Sequence, residues 1–219
     1  MTKLAADWAS GERMLGQAVA YALRIVAATT PDLLARPTPC HGWDLRRLLW
    51  HSCESLAALR EGLATGRVSL AAGPAGATVG RAAAGLIGSA PACDDCGAAD
   101  PVAAYTVRAL RLLDCLASPG RPDVRIGGLT LPRSMLATAG ALEVAVHGWD
   151  VAEACGEWRP VPALLAGELL TVAPLLVPDA GREPLFGDAV RVGRDSSPSE
   201  QLTAFLGRSG QRRPASASR

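Results

Sequence analysis

Apolar positions recur at helical spacing over most of this chain. Between Leu4 and Ala28, residues Trp8, Leu15, Ala18, Val19, Ala22 and Val26 fall on one face of a 3.6-residue period with no proline among them, which predicts a first helix. Pro31, Pro37 and Pro39 break the pattern. It resumes after Asp44, a side chain suited to capping a helix, with Leu45, Leu48, Leu49, Ser52, Leu56 and Leu59 forming one stripe up to about Gly66. Val102, Tyr105, Ala109, Leu112, Leu113 and Leu116 predict a third helix over Pro101 to Ala117, ended by Ser118-Pro119-Gly120. Ile126-Gly127-Gly128-Leu129 reads as a turn or short hairpin. A long fourth helix runs from Pro132 to about Cys155, where Gly156 offers a left-handed stop, and Pro162 opens a fifth that ends near Pro178.

Two stretches carry less pattern. Residues 66 to 100 are rich in Gly, Ala and Pro, with a short helix expected only over Val79 to Ile87. After Phe186, Ala189 to Val192 is a strand candidate, Glu200 to Leu206 a last helical turn or two, and the Ser, Arg and Pro composition beyond Gly207 reads as disorder. The expected fold is therefore mainly α. An up-and-down four-helix bundle spans residues 1–178, a short C-terminal α/β segment at 179–207 packs on it, and 208–219 form a disordered tail.

Composition adds constraints to that picture. With 219 residues, 49% of them hydrophobic, the chain can fill a sizeable core. Its net charge is only +1, with acidic and basic residues interspersed and no grouping of Arg with stacking aromatics, so no nucleic-acid partner is expected. The most apolar run, Leu169 to Val177, is too short for a bilayer and contains Pro174, so no membrane partner is expected either. Asp7, Glu12 and Arg13 interrupt any secretory core near the N-terminus, which points to a cytoplasmic protein. Six cysteines in such a chain read as reduced thiols. Lys3 is the only lysine among 22 basic residues, and that bias, with the Ala and Gly richness, is what a GC-rich genome such as an actinobacterial one encodes.

The candidate chemistry lies in the second and fourth helices. Of the three histidines, His41, His51 and His147, the last two fall within predicted helices, where bundles build metal sites. Steps of four and three residues put Glu143, His147 and Asp150 on one inward stripe with Leu136, Gly140 and Ala154. A buried carboxylate needs a compensating partner, and a cation serves. His51, about two turns past the Asp44 cap, can meet that pair. Two imidazoles and one carboxylate leave a coordination position open; zinc suits this donor set best, and iron or nickel also fit. On spacing alone, a Glu and a His at i, i+4 more often form a surface pair, and a lone helical His is usually a satisfied core residue. Cys93-Asp94-Asp95-Cys96 has no second pair or nearby His, and is read as a chance pair in a loop.

Two segments carry a resemblance. Pro37-Thr38-Pro39-Cys40-His41-Gly42-Trp43-Asp44, continuing to His51, resembles the pattern in which a Thr-Pro-Cys-x-Gly-Trp-x turn opens a helix bearing a metal-binding His. Glu143 to Ala152, with Gly156, resembles the second signature of the same family, the DinB-like bundle proteins of the mycothiol-dependent maleylpyruvate isomerase type. The likeness runs over roughly residues 5 to 176, and it implies a DinB-like bundle with metal ligands at His51, Glu143 and His147. It further implies that Trp43 and Trp149 shape the pocket, that Asp44 is a cap, and that Asp150 supports the site from behind. Cys40 belongs to the turn, His41 sits at a variable, exposed position, and Cys53, Cys115 and Cys155 stand where small core residues would.

The function so implied is that of a metal-dependent enzyme. It would use mycothiol as cofactor or cosubstrate, as a cis–trans isomerase or thiol S-transferase on a small activated substrate. The expected partners are that substrate and a low-molecular-weight thiol, with the chain alone or as a homodimer. The better-known isomerases carry a larger C-terminal domain than the roughly forty residues that follow the fifth helix here, which sets maleylpyruvate itself in question. A thiol-independent metalloenzyme, hydrolytic or tailoring, and a non-catalytic metal-binding module are the alternative readings.

Overall fold

The computed structural model describes residues 10–68, 100–126, 128–179, 182, 186–193 and 195–208. The expected short helix at Val79 to Ile87 and the Cys93/Cys96 pair lie outside these residues.

Among the described residues, six α-helices form in the predicted order. They are α1 (Gly11–Val26), α2 (Leu45–Thr65), α3 (Pro101–Leu116), α4 (Arg133–Cys155), α5 (Ala163–Leu176) and α6 (Pro198–Phe205). Their ends follow local chemistry. The Asp44 carboxylate accepts from the Arg47 amide at 2.8 Å, Asp100 caps α3 through the Val102 amide, and Gly66 and Gly156 close α2 and α4 in the left-handed conformation. Ser197 and Glu200 make a reciprocal capping box at the start of α6.

The fourth helix is the axis of the molecule. From Leu136 to Ala152 every residue is buried, because α1 and α2 pack along it from two sides and α5 touches it from a third. A helix apolar all round can only be an interior one. Arg133, itself buried at the start of α4, donates to both Glu12 oxygens (3.0 and 3.2 Å) and to the Leu63 carbonyl. It thereby ties α1 and the last turn of α2 to the axis.

A small three-stranded sheet joins the bundle where α2 ends: β1 (Arg67–Val68), β2 (Asp123–Ile126) and β3 (Leu129–Pro132). β1 runs parallel to β2, and β2 pairs antiparallel with β3 from Asp123↔Pro132 to Ile126↔Leu129, which is the expected hairpin. Val68, Val124, Ile126 and Leu131 point into the core. The Ala189 to Val192 segment is not a strand. All four residues are exposed, and the Val190 amide bonds the Ala204 carbonyl of α6 instead of a sheet edge. Arg208, assigned to the tail by composition, is only 8% exposed. Its neighbours fix its place, and they belong to the site described next.

No helix among the described residues is long and apolar enough to cross a membrane. The four cysteines among them, Cys40, Cys53, Cys115 and Cys155, are free thiols.

Candidate metal centre

The turn before α2 and the middle of α4 build this site from opposite sides. In the turn, the Thr38 amide and hydroxyl both bond the Trp43 carbonyl (3.0 Å each), and the Trp43 amide bonds the Cys40 carbonyl. Gly42 makes that closure with φ +75°, a backbone conformation side chains resist. The turn therefore fixes Cys40 and Trp43 rigidly at the start of α2. Two helical turns later, His51 points toward α4, with Ser55 four residues on and so on the same face.

On α4, Glu143 and His147 stand one turn apart, and His51 comes to meet them. The Glu143 Oε1 atom lies 2.9 Å from His51 Nε2 and 3.3 Å from His147 Nε2, and it accepts from the Ser55 hydroxyl at 3.0 Å. One donor atom from each of His51, Glu143 and His147 falls within 4.8 Å of the others, and all three residues are buried. This is the spacing three ligands of a single ion need. The predicted trio is thus brought together.

His147 is held from behind. Its Nδ1 lies 3.0 Å from Asp150 Oδ2, and the Arg208 guanidinium grips that carboxylate with Nε on Oδ1 (3.2 Å) and Nη2 on Oδ2 (3.0 Å). Cys40 completes the group, its Sγ donating to Asp150 Oδ2 at 3.3 Å and lying 3.8 Å from both His147 Nδ1 and Arg208 Nη2. With its proton on Nδ1 toward Asp150, His147 presents the Nε2 lone pair to the Glu143 carboxylate. Two electron-rich atoms at 3.3 Å call for a cation, either a second ring proton or a metal ion.

The electrostatics say the same. Burial works against charge on Glu143, but His147 and His51 outweigh it and hold the acid down to about 2. Burial likewise opposes an imidazolium at His147, yet the Glu143 charge, Cys40 and the Asp150 hydrogen bond hold its proton well above the usual histidine range. Asp150 is kept ionised against its own burial by the Arg208 charge and by His147, and Arg208 is raised in turn by Asp150. The pocket floor is therefore a place where positive charge is stabilised, and the donor set fits a divalent ion.

Support at His51 is of another kind. Its ring meets Trp43 edge-on at 4.9 Å and His147 at 5.2 Å, and its Nδ1 is buried with no hydrogen-bond partner among the described residues. Above Glu143 and His147 opens a cavity of about 480 Å³. Leu142 and Val146 of α4 form one wall, the Pro39–His41 turn and Trp43 another, and Phe186, Gly187 and Leu206–Arg208 of the C-terminal segment the third.

Not every sequence-predicted position arrives here. Trp43 and Asp150 do, and His41 is exposed at the mouth. Trp149 does not line the cavity and packs in the core instead, two turns along α4 from the wall residue Leu142. Cys40, Ser55 and Arg208 were not anticipated as site residues. Ser55 was findable from its four-residue step after His51; Arg208 carried no signal at all.

A family model described as Mycothiol maleylpyruvate isomerase N-terminal domain matches residues 15–152, more than half of the chain. Two uncharacterized proteins of Mycobacterium tuberculosis, MT0763 from strain CDC 1551 / Oshkosh and Rv0738 from strain H37Rv, are each 29% identical over 188 residues. That alignment covers 84% of this chain and 90% of theirs. No solved structure matches the chain significantly.

Proposed function

This chain belongs to the mycothiol maleylpyruvate isomerase N-terminal domain family, and on that premise we propose that it is a metal-dependent enzyme using mycothiol as cofactor or cosubstrate. It acts on a small activated substrate as a cis–trans isomerase or a thiol S-transferase. The observation that carries this reading is the convergence of His51 and His147 on one Glu143 oxygen at the floor of a 480 Å³ cavity. His51, Glu143 and His147 would hold the ion, zinc being best suited to two imidazoles and a carboxylate.

When bound, the ion makes a thiol at its open position acidic enough to be a thiolate near neutral pH. The rest falls to the chain. Asp150 keeps the His147 proton on Nδ1, so Nε2 keeps the lone pair that a metal ion needs. Ser55 bonds Glu143 Oε1 and steadies the carboxylate. Leu142, Val146, Phe186 and Leu206 exclude water from the reacting atoms. A thiol held in that space would supply a nucleophilic sulfur to the activated alkene of a substrate, giving isomerisation where the sulfur leaves again and transfer where it stays attached. One site serves both outcomes.

The test is cobalt substitution followed by titration with mycothiol. A sulfur-to-cobalt charge-transfer band should appear in the near ultraviolet, and should persist when all six cysteines are replaced. Absence of the band, together with no protection against heat by the thiol, would leave water as the better candidate for the open position.

A further inference from the structure

A second cluster of ligand-type groups shares His147 with the first. Cys40 Sγ, His147 Nδ1 and an Asp150 oxygen lie within 4.8 Å of one another. A thiol, an imidazole and a carboxylate are a donor set zinc favours, the sulfur more than anything in the first trio. Yet this cluster already contains a cation. The Arg208 guanidinium spans both Asp150 oxygens, points Nη2 at Cys40 Sγ and is tethered through Nη1 to the Leu206 carbonyl at 3.0 Å.

We propose that Arg208 is an internal cation that fills the Cys40–His147–Asp150 cluster and so decides where the divalent ion sits. The inference rests on the reading that the ion belongs in the His51–Glu143–His147 trio. A neutral imidazole has one lone pair, so an ion on Nδ1 and an ion on Nε2 are alternative placements. The guanidinium already occupies both Asp150 oxygens, and His147 turns Nδ1 to Asp150 and Nε2 to the trio. The consequence is chemical. The ion is kept off the protein's own Cys40, and an outside thiol is the sulfur that reaches its open position.

The experiment uses the full chain loaded with cobalt and no added thiol. Wild type should show no sulfur-to-cobalt band that Cys40→Ser removes. Arg208→Met should gain one, Arg208→Met with Cys40→Ser should lose it again, and Arg208→Lys, which keeps the charge, should resemble wild type. Arg208→Met that binds cobalt without the band overturns the proposal. So does a Cys40-dependent band in wild type, or a Cys40-dependent sulfur-to-cadmium band in wild type with excess cadmium; both readings hold even if Arg208→Met does not fold. Cobalt taken up only by Arg208→Met, with the band, would overturn the trio while keeping the role of Arg208. Cobalt bound by neither protein overturns both.

Discussion

The two histidines of the site are held by different physics. His147 is fixed by a hydrogen-bonded relay, Asp150 and then Arg208, with every polar group answered by another. His51 is fixed by packing, its ring against Trp43 and its Nδ1 without a partner among the described residues. Both reach the same Glu143 oxygen. A ligand locked in tautomer and direction binds an ion with little reorganisation, whereas one held only by shape can turn. The α4 side should therefore anchor the ion, and the α2 side should be the side that yields.

Changes that break the contrast outright should have the largest effect. Glu143→Ala removes what the two sides share, and bound metal should be lost to elemental analysis. Next come changes that convert the anchored side into the unanchored one. Asp150→Asn should weaken metal affinity about 10–100-fold. It also strands the Arg208 charge in the interior, and should cost about 3–5 kcal/mol in denaturant melts of the metal-free protein. Trp43→Leu acts on the packed side alone. Losing an edge-on ring contact is worth about 0.5–1.5 kcal/mol, so metal should still bind, with affinity down by about tenfold or less.

A pH series sharpens the same contrast. His147 in the metal-free protein has its proton held far above the ordinary value of about 6.5, so its contribution is complete below that pH and is lost as pH rises toward the folded value. Glu143, held down to about 2, contributes above the unfolded carboxylate range and loses that only as pH falls toward 2. Metal-free protein should thus become less stable on going from pH 6 to pH 9. Metal-loaded protein should do the opposite, because protons compete with the ion for His147. Thermal melts across that range decide it, and parallel slopes would mean the ion is not on this histidine.

How much of this was legible in the sequence depends on how local the cause was. Asp44, Gly66 and Gly156 mark helix ends because a cap acts within one turn, and Glu143 and His147 share a face by helical period alone. His51 could be added because two helices of a bundle must face each other. Arg208 could not, since it meets Asp150 across 58 residues from a stretch whose composition reads as tail. The two-residue β1 is too short to show a period. Trp149, which the resemblance places at the pocket, packs in the core two turns along α4 from the cavity wall, a distance that a family motif does not show.

The most direct test of the central claim is X-ray absorption at the zinc edge of purified, zinc-loaded protein without added thiol. Two imidazoles and light oxygen or nitrogen donors at about 2.0–2.1 Å, with no sulfur, are predicted, and both imidazole signals should diminish in Glu143→Ala as zinc is lost. A sulfur shell at about 2.3 Å in the wild-type protein, or a zinc signal unchanged by Glu143→Ala, would contradict the account.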